Sequence, residues 1–335
     1  MQVGKLGAAV SRLQHVTTAK VSVVLNVMNG QDYLGQCIAS VLKQSFEDFE
    51  FIIIDDGSTD ATWDIISSFT DKRLKPIRQA NHGIAESANL GISLARAPLI
   101  ARIDHDDLML PDRLERQVAA FTEEPDLALL CTAAQLIDGD QVSARFYTVP
   151  TSSAALRLRL LFDNPVVQST VMMKTEVVKR LGGYLKRPLP YPEDFHLWVR
   201  FARTYPIRAL PEALTQYRIR PGSASYGNKS ARFNVEVSSL ALHSYLGPEY
   251  GLAECESLAA IYHRYRHVTN ILPQNSALAM FDKAAGMIGG ARNTWDDEFK
   301  SAYAMQRRII WTHGLLRQTP LSYAASLIPQ LRLRD

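Results

Sequence analysis

From residue 21 onward, short apolar runs alternate with segments whose apolar positions recur every three to four residues. VSVVLNV, over 21–27, has the pattern of a buried strand, and in 32–44 the residues Leu34, Ile38, Val41 and Leu42 share one helical face. A second apolar strand, 49–54, runs into Asp55-Asp56-Gly57. Ser58, Thr59 and Asp60 then offer N-cap oxygens to a helix carrying Trp63, Ile66 and Phe69. A strand over 74–77, a helix over 83–95 and a strand over 98–103 that ends on acids complete the first part. This βαβαβ alternation predicts an α/β fold with a doubly wound, mostly parallel sheet flanked by helices, its ligand crevice at the carboxyl ends of the strands.

The following residues are less regular. Pro111 suits the first turn of a helix, 127–132 reads as a strand, and Asp138-Gly139-Asp140 as a hairpin turn. Short strands and helices mix over 151–220, and from about residue 231 the pattern is helical to the end. The expected organisation is an extension over 1–20, a unit over 21–230 with halves at 21–110 and 111–230, and a C-terminal helical region over 231–335. No internal repeat is present, which removes solenoids and propellers.

Composition narrows the class without naming an activity. With 47% apolar and 21% charged residues, the 335-residue chain is neither disordered, collagenous nor a coiled coil. Lys plus Arg outnumber Asp plus Glu by 37 − 34 = +3, too little to indicate a nucleic-acid partner. The three cysteines, Cys37, Cys131 and Cys255, are odd in number, widely spaced and outside any zinc pattern, which implies a reducing compartment. No apolar stretch approaches the ~20 residues that span a bilayer, and the first residues lack a signal-peptide core. A cytoplasmic protein is expected, at most peripheral on the inner face of the cytoplasmic membrane.

The acids at the strand ends change this picture most. IIIDDGSTD, over 52–60, and ARIDHDDLMLPDRL, over 101–114, place carboxylates directly after buried strands, where they need a cation, a donor or water. In extended backbone Asp104 and Asp106 would point the same way, and two such oxygens suit a hard divalent ion that also binds phosphate. Asp55 and Asp56 can serve as turn and cap residues, or accept a hydrogen bond from a nucleotide as strand-end acids do. Glu193 and Asp194 open a helical stretch with Leu197, Trp198 and Phe201 on its buried edge. Trp198 and Phe201 read as core, and His105 and His196 as neighbours of the acids without assigned chemistry.

Taken together, VSVVLNVMNG, the 33–60 segment, NHGIAESANLGI, ARIDHDDLMLPDRL, NPVVQSTVMMKTEVVKRLGGY, YPEDFHLWVRFA and YRIRPGSAS resemble the inverting family 2 glycosyltransferases of GT-A fold. The resemblance covers about residues 21–225 in order and spacing. It implies transfer of a sugar from a nucleotide-diphospho-sugar, UDP-linked, to a hydroxyl of a glycan or lipid-linked acceptor, in surface polysaccharide assembly. It also implies that Asp56, with Asp55 beside it, contacts the nucleotide base, that Asp104 and Asp106 hold Mn2+ or Mg2+ on the donor diphosphate, and that Asp194 is the catalytic base. Asn26, Met28, Asn81, Arg102, Arg218 and Arg220 are expected near the donor; Glu193, Tyr191 and Gln168, with Tyr184, near the acceptor.

The sequence departs from that family at several places. Asn26 and Met28 stand where Pro and Tyr are usual, Ala88 where Arg is common, and Gln168 and Arg220 where His is common. A protein that binds a sugar nucleotide without transferring it is therefore an alternative. A haloacid-dehalogenase-type phosphatase would need Thr where Leu108 follows the acids, and a sugar nucleotidyltransferase would need a Gly-rich loop where 27–31 offers only Gly30. In the tail, Arg307, Arg308, Arg317, Arg332 and Arg334 alternate with Ile309, Ile310, Trp311, Leu315, Leu316 and Leu331. That pattern fits either a helix packed on the body or a basic helix on a membrane surface.

Overall fold

A computed structural model describes residues 19–139, 141–186, 192–219, 231–268 and 271–318. The first part alternates as its pattern requires: β1 (Val21–Val27), α1 (Leu34–Leu42), β2 (Phe49–Asp56), α2 (Thr62–Ser68), β3 (Leu74–Gln79), α3 (Ile84–Leu94) and β4 (Leu99–Arg102). After β5 (Leu108–Met109) come α4 (Arg113–Glu123), the hairpin β6 (Leu129–Asp138) and β7 (Gln141–Tyr147), then α5 (Ser153–Arg159), β8 (Met172–Lys174) and α6 (Thr175–Arg180). Helix α7 (Glu193–Thr204) precedes the long strand β9 (Ile207–Arg218), and α8 (Ala231–Leu246), α9 (Leu252–Tyr262), α10 (Gln274–Gly289) and α11 (Asp297–Gln318) follow.

The strands form one sheet in the order β3-β2-β1-β4-β8-β6-β9-β5, with β7 paired to β6. Its first four strands are parallel, in the register Val23 to Phe51 and Val23 to Ala101. Beyond β4 the sheet is mixed, since β8 runs antiparallel to both β4 and β6 while β6 and β9 are parallel. Alternation of side chains explains why β1 reads as a nearly continuous apolar run, interrupted only by Ser22 and Asn26. Val21, Val23, Leu25 and Val27 enter one core with α1 and α4, while Val24 enters the other with α3 and α7, so both faces are covered. Burying each such side chain contributes roughly 1.5–3 kcal/mol.

Helices α8 to α11 carry their apolar faces into the second of these cores, through Leu242, Leu258, Phe281, Phe299 and Ile310. The Tyr262 ring of α9 stacks on Phe162 at 4.3 Å. The basic tail helix is correspondingly docked: Ile309 and Ile310 pack inward, and Arg307 pairs with Asp282 at 2.9 Å, leaving Arg308 and Trp311 exposed. Leu331, Arg332 and Arg334 lie outside the described residues, as do the side chains of Leu316 and Arg317. Among the described residues no helix is long and apolar enough to cross a membrane. Cys37, Cys131 and Cys255 are all buried thiols.

Candidate functional site

The loops after β1 and β2 are stitched to each other. Asn29, in a left-handed conformation at φ 53°, donates its N–H to Ser58 Oγ at 2.9 Å and accepts from Thr59 N–H at 2.9 Å. The Gly30 N–H donates to Thr62 Oγ1 at 2.8 Å, and the Gln31 N–H to Asp60 Oδ2 at 3.2 Å. This corrects the capping expectation for Ser58 and Thr59. Helix α2 begins one turn later, after Ala61, and only Asp60 serves its first turn, accepting from Thr62 N–H at 3.0 Å. Hydroxyls and carboxylates that suit a cap have been recruited to fix the crevice wall instead.

Asp55 and Asp56 end β2, buried, with different partners. Asp55 closes the turn by accepting from Ser58 N–H at 3.0 Å and pairs with Arg78 at 3.2 Å. Gly57 supplies the positive φ of 80° that the turn demands. Asp56 accepts from Gln79 Nε2 at 2.8 Å, His82 N–H at 2.9 Å and Gly83 N–H at 2.8 Å. Burial pushes its pKa up, but these donors outweigh it and hold the carboxyl below its ordinary value. At the crevice mouth Met28 is exposed, and Asn81 Nδ2 lies 3.0 Å from its sulfur.

The acids after β4 form a tight turn. The Asp107 N–H donates to Asp104 O at 3.1 Å, so the extended geometry assumed for Asp104 and Asp106 is replaced by a turn. Asp104 Oδ1 accepts from Gln168 Nε2 at 3.0 Å, and its N–H donates to Ser169 Oγ at 3.0 Å. Asp107 is buried; burial first, then the charges of Asp106 and Asp104, raise its pKa well above the usual range. Gln168, expected near the acceptor, thus stands beside Asp104. Its Oε1 accepts no hydrogen bond. Asp104, Asp106 and this oxygen are all oxygen donors, the ligand chemistry that hard divalent ions prefer. No group of three or more His, Cys, Asp or Glu converges as a full metal cage among the described residues.

Two arginines expected at the donor are interior. Arg102 is fully buried, donating to Val24 O at 2.8 Å and to Asn26 Oδ1 at 2.6 Å. Arg218 is equally enclosed: its N–H donates to Asp107 Oδ1 at 2.8 Å, its Nε to Asp106 O at 2.8 Å, and its guanidinium lies 4.0 Å over the Tyr33 ring. Both therefore orient the acids, and neither offers a fork to a ligand. Arg113, not singled out from the sequence, lies below the same turn, bonded to Gln117 and to the carbonyls of Arg102 and Val171. Burial pulls its pKa down to about 9, against the opposing charge of Asp107. Only its place four residues before Gln117 could have signalled it, and that spacing is common on exposed helices.

Glu193 and Asp194 open α7 across the crevice. Asp194 Oδ2 accepts from Asn164 Nδ2 at 2.8 Å and Oδ1 from Phe195 N–H at 2.6 Å. Burial pushes Asp194 up to about 6, with the charge of Asp104 adding to it. Glu193 is pushed up to about 8, by burial and then by Asp194, with a smaller push from Asp104. Asp104 of the β4 turn and the two acids that open α7 are therefore electrostatic neighbours. Trp198 and Phe201 are core residues as expected, and so is Tyr184, which corrects its assignment to the acceptor: it is buried edge-on to Trp198 at 6.3 Å. Tyr191 and Arg220 lie outside the described residues.

Residues 22–181 match the family described as "Glycosyl transferase family 2". An uncharacterized glycosyltransferase of Nostoc sp. is 36% identical over 237 residues, covering 66% of this chain and 71% of that protein. The putative glycosyltransferase EpsE of Bacillus subtilis is 29% identical over 277 residues, covering 77% and 97%. Among solved structures, residues 1–349 of S. aureus TarS in complex with UDP-GlcNAc superpose with a TM-score of 0.58 at 20% identity, over 89% of this chain and 91% of that one.

Proposed function

The chain belongs to glycosyl transferase family 2, and from that premise we propose that it is an inverting GT-A enzyme that moves a sugar from a UDP-linked donor to a hydroxyl of a glycan or lipid-linked acceptor. What supports the reading is that Asp104, at the end of β4, lies near enough to Asp194, at the start of α7, for its charge to raise the Asp194 pKa. The nucleotide would lie over the ends of β1 and β2, against Met28, Asn81 and the acids Asp55 and Asp56. That TarS was solved with UDP-GlcNAc supports a uridine nucleotide.

In this reading the acceptor oxygen attacks the anomeric carbon while its proton passes to Asp194. The bond from that carbon to the diphosphate breaks on the opposite face, and the configuration inverts. A carboxylate with its pKa near 6 is ionised at neutral pH yet basic enough to take the proton, which contributes about 10²–10⁴-fold. Asp104 and Asp106 would hold Mn2+ or Mg2+, which supplies charge neutralisation for the leaving diphosphate. Arg102 and Gln168 keep the Asp104 carboxylate in place.

The test is to incubate the full chain with a panel of nucleotide sugars, Mn2+ and candidate acceptors, and to follow nucleotide diphosphate release and transfer. Release with a UDP-sugar, abolished by chelation, is expected. Asp194→Asn should retain UDP binding and lose at least about 100-fold in transfer. Equal transfer by parent and variant would remove Asp194 as the base.

A further inference from the structure

Resting on the reading of Asp194 as the base, we propose that Asn164 is its positioning residue, holding the carboxylate so that one remaining lone pair is presented to the acceptor hydroxyl. The contact is Asn164 Nδ2 to Asp194 Oδ2, at 2.8 Å. Its sense is set by a second bond. Asn164 Oδ1 accepts from Val166 N–H at 3.2 Å, and a backbone N–H can only donate, so the NH₂ end of the amide must face Asp194.

Asn164 is itself anchored. Its carbonyl oxygen accepts from the Tyr147 hydroxyl at 3.1 Å, and Tyr147 is the last residue of β7, in register with Ala134 of β6. The Tyr147 ring meets Tyr217 of β9 edge-on at 6.4 Å. A rigid line thus runs from the sheet through Tyr147 and Asn164 to the carboxylate. With Phe195 N–H on Oδ1 at 2.6 Å, each oxygen of Asp194 accepts a hydrogen bond from the described residues, and a carboxylate oxygen has room for a second.

The surroundings make this donor consequential. Facing Asp194 are Glu193 on its own helix, Asp104 from the β4 turn, Tyr147 from β7 and Tyr184. Two of these are acids that favour a protonated Asp194, and Arg102, the cation beside Asp104, acts in the opposite sense on Glu193 and Tyr184. The Asn164 amide and the Phe195 N–H oppose the acids by donating to the ionised form. A purely structural asparagine could turn its amide to any acceptor. Here the donor is committed to the one carboxylate that must be ionised and aimed.

The test is a carboxyl titration of the full chain with carbon-13-labelled aspartate, the Asp194 signal being assigned by its loss in Asp194→Asn. In Asn164→Ala its midpoint should rise by about one unit. In Asn164→Asp, which keeps an acceptor for Val166 N–H and so preserves the local fold, it should rise further. Transfer should fall roughly 10–100-fold in kcat, with the acid limb of its pH profile moving in step and the donor KM and UDP binding unchanged. An unchanged midpoint in both variants would overturn the proposal. If the parent transfers no sugar from any nucleotide donor, the glycosyltransferase reading fails, and the titration still decides the role of Asn164.

Discussion

Arg102 Nη2 lies 3.5 Å from Asp104 Oδ1, so the strand that delivers the acid to the crevice also buries its counter-charge. The same guanidinium ties β4 to β1 through Val24 O and Asn26 Oδ1. Asn26 stands where the family commonly has proline, and here its side chain is a structural acceptor for this arginine. The departure thus has a local physical reason, independent of any ligand.

Replacing Arg102 with Met keeps most of the volume but strands Val24 O, Asn26 Oδ1 and the partly exposed Asp104 without their donor. Leaving a buried acceptor without its donor costs about 1–3 kcal/mol. Urea unfolding of Arg102→Met should show a loss of that size, with Arg102→Lys intermediate because it restores the charge and not the fork. A loss below about 1 kcal/mol would mean that Arg102 does not hold the β1–β4 junction.

Asp194 and Glu193 hold raised pKa values, so between their unfolded and folded pKa values the native state binds more protons than the unfolded chain. Stability conferred by such groups is present at low pH and is lost as pH rises, from about 4 in the unfolded chain through about 6 for Asp194 and about 8 for Glu193. Asp194→Asn should therefore be more stable than the parent at pH 7.5 and indistinguishable from it near pH 4, when melting temperatures are compared. Equal differences at both pH values would contradict the burial of that charge.

Activity should run the other way. Transfer requires ionised Asp194, so kcat/KM, which reports the free enzyme, should climb through an acid limb near pH 6, the value to which burial and Asp104 raise it. Asp56, held below the ordinary carboxylate range, stays ionised throughout and should add no limb of its own. The profile of kcat/KM against pH between 5 and 9 checks this, and a limb near pH 4 would indicate an unperturbed carboxylate.

Gly57 has φ at 80°, and a Cβ there would stand 2.8 Å from Asn81 N. Gly57→Ala meets both backbone strain and a backbone clash, and should push the 79–83 segment away from Asp56, whose donors come from it. UDP affinity measured by calorimetry should weaken at least about 10-fold, while Gly286→Ala in α10, with no positive φ and nothing within 4 Å of its Cβ, should leave it unchanged.

Much of the scaffold was legible because burial on two faces and helical periodicity are local signals. The 21–27 strand coincides with β1 and the Glu193 helix with α7, and the hairpin about residue 139 pairs Asp138 with Gln141. The antiparallel insertion of β8 between β4 and β6 was not legible. Three residues, Met172–Lys174, carry too little pattern to announce a strand, and their direction depends on partners 42 to 75 residues away.

For the site, the acids themselves stand out in the sequence, since carboxylates after apolar strands need a reason to be there. The sequence alone therefore determined an alternating α/β chain of this family, with acids gathered at the strand ends and before α7. What only the tertiary structure decided is which charged groups face the crevice and which support it from behind. Arg102, Arg113 and Arg218 look like any other arginines in a list, yet all three are buried against carbonyls or carboxylates. Asn164 meets Asp194 across thirty residues of chain. Burial and hydrogen-bond direction are properties of packed neighbours distant in sequence, and no spacing along the chain encodes them.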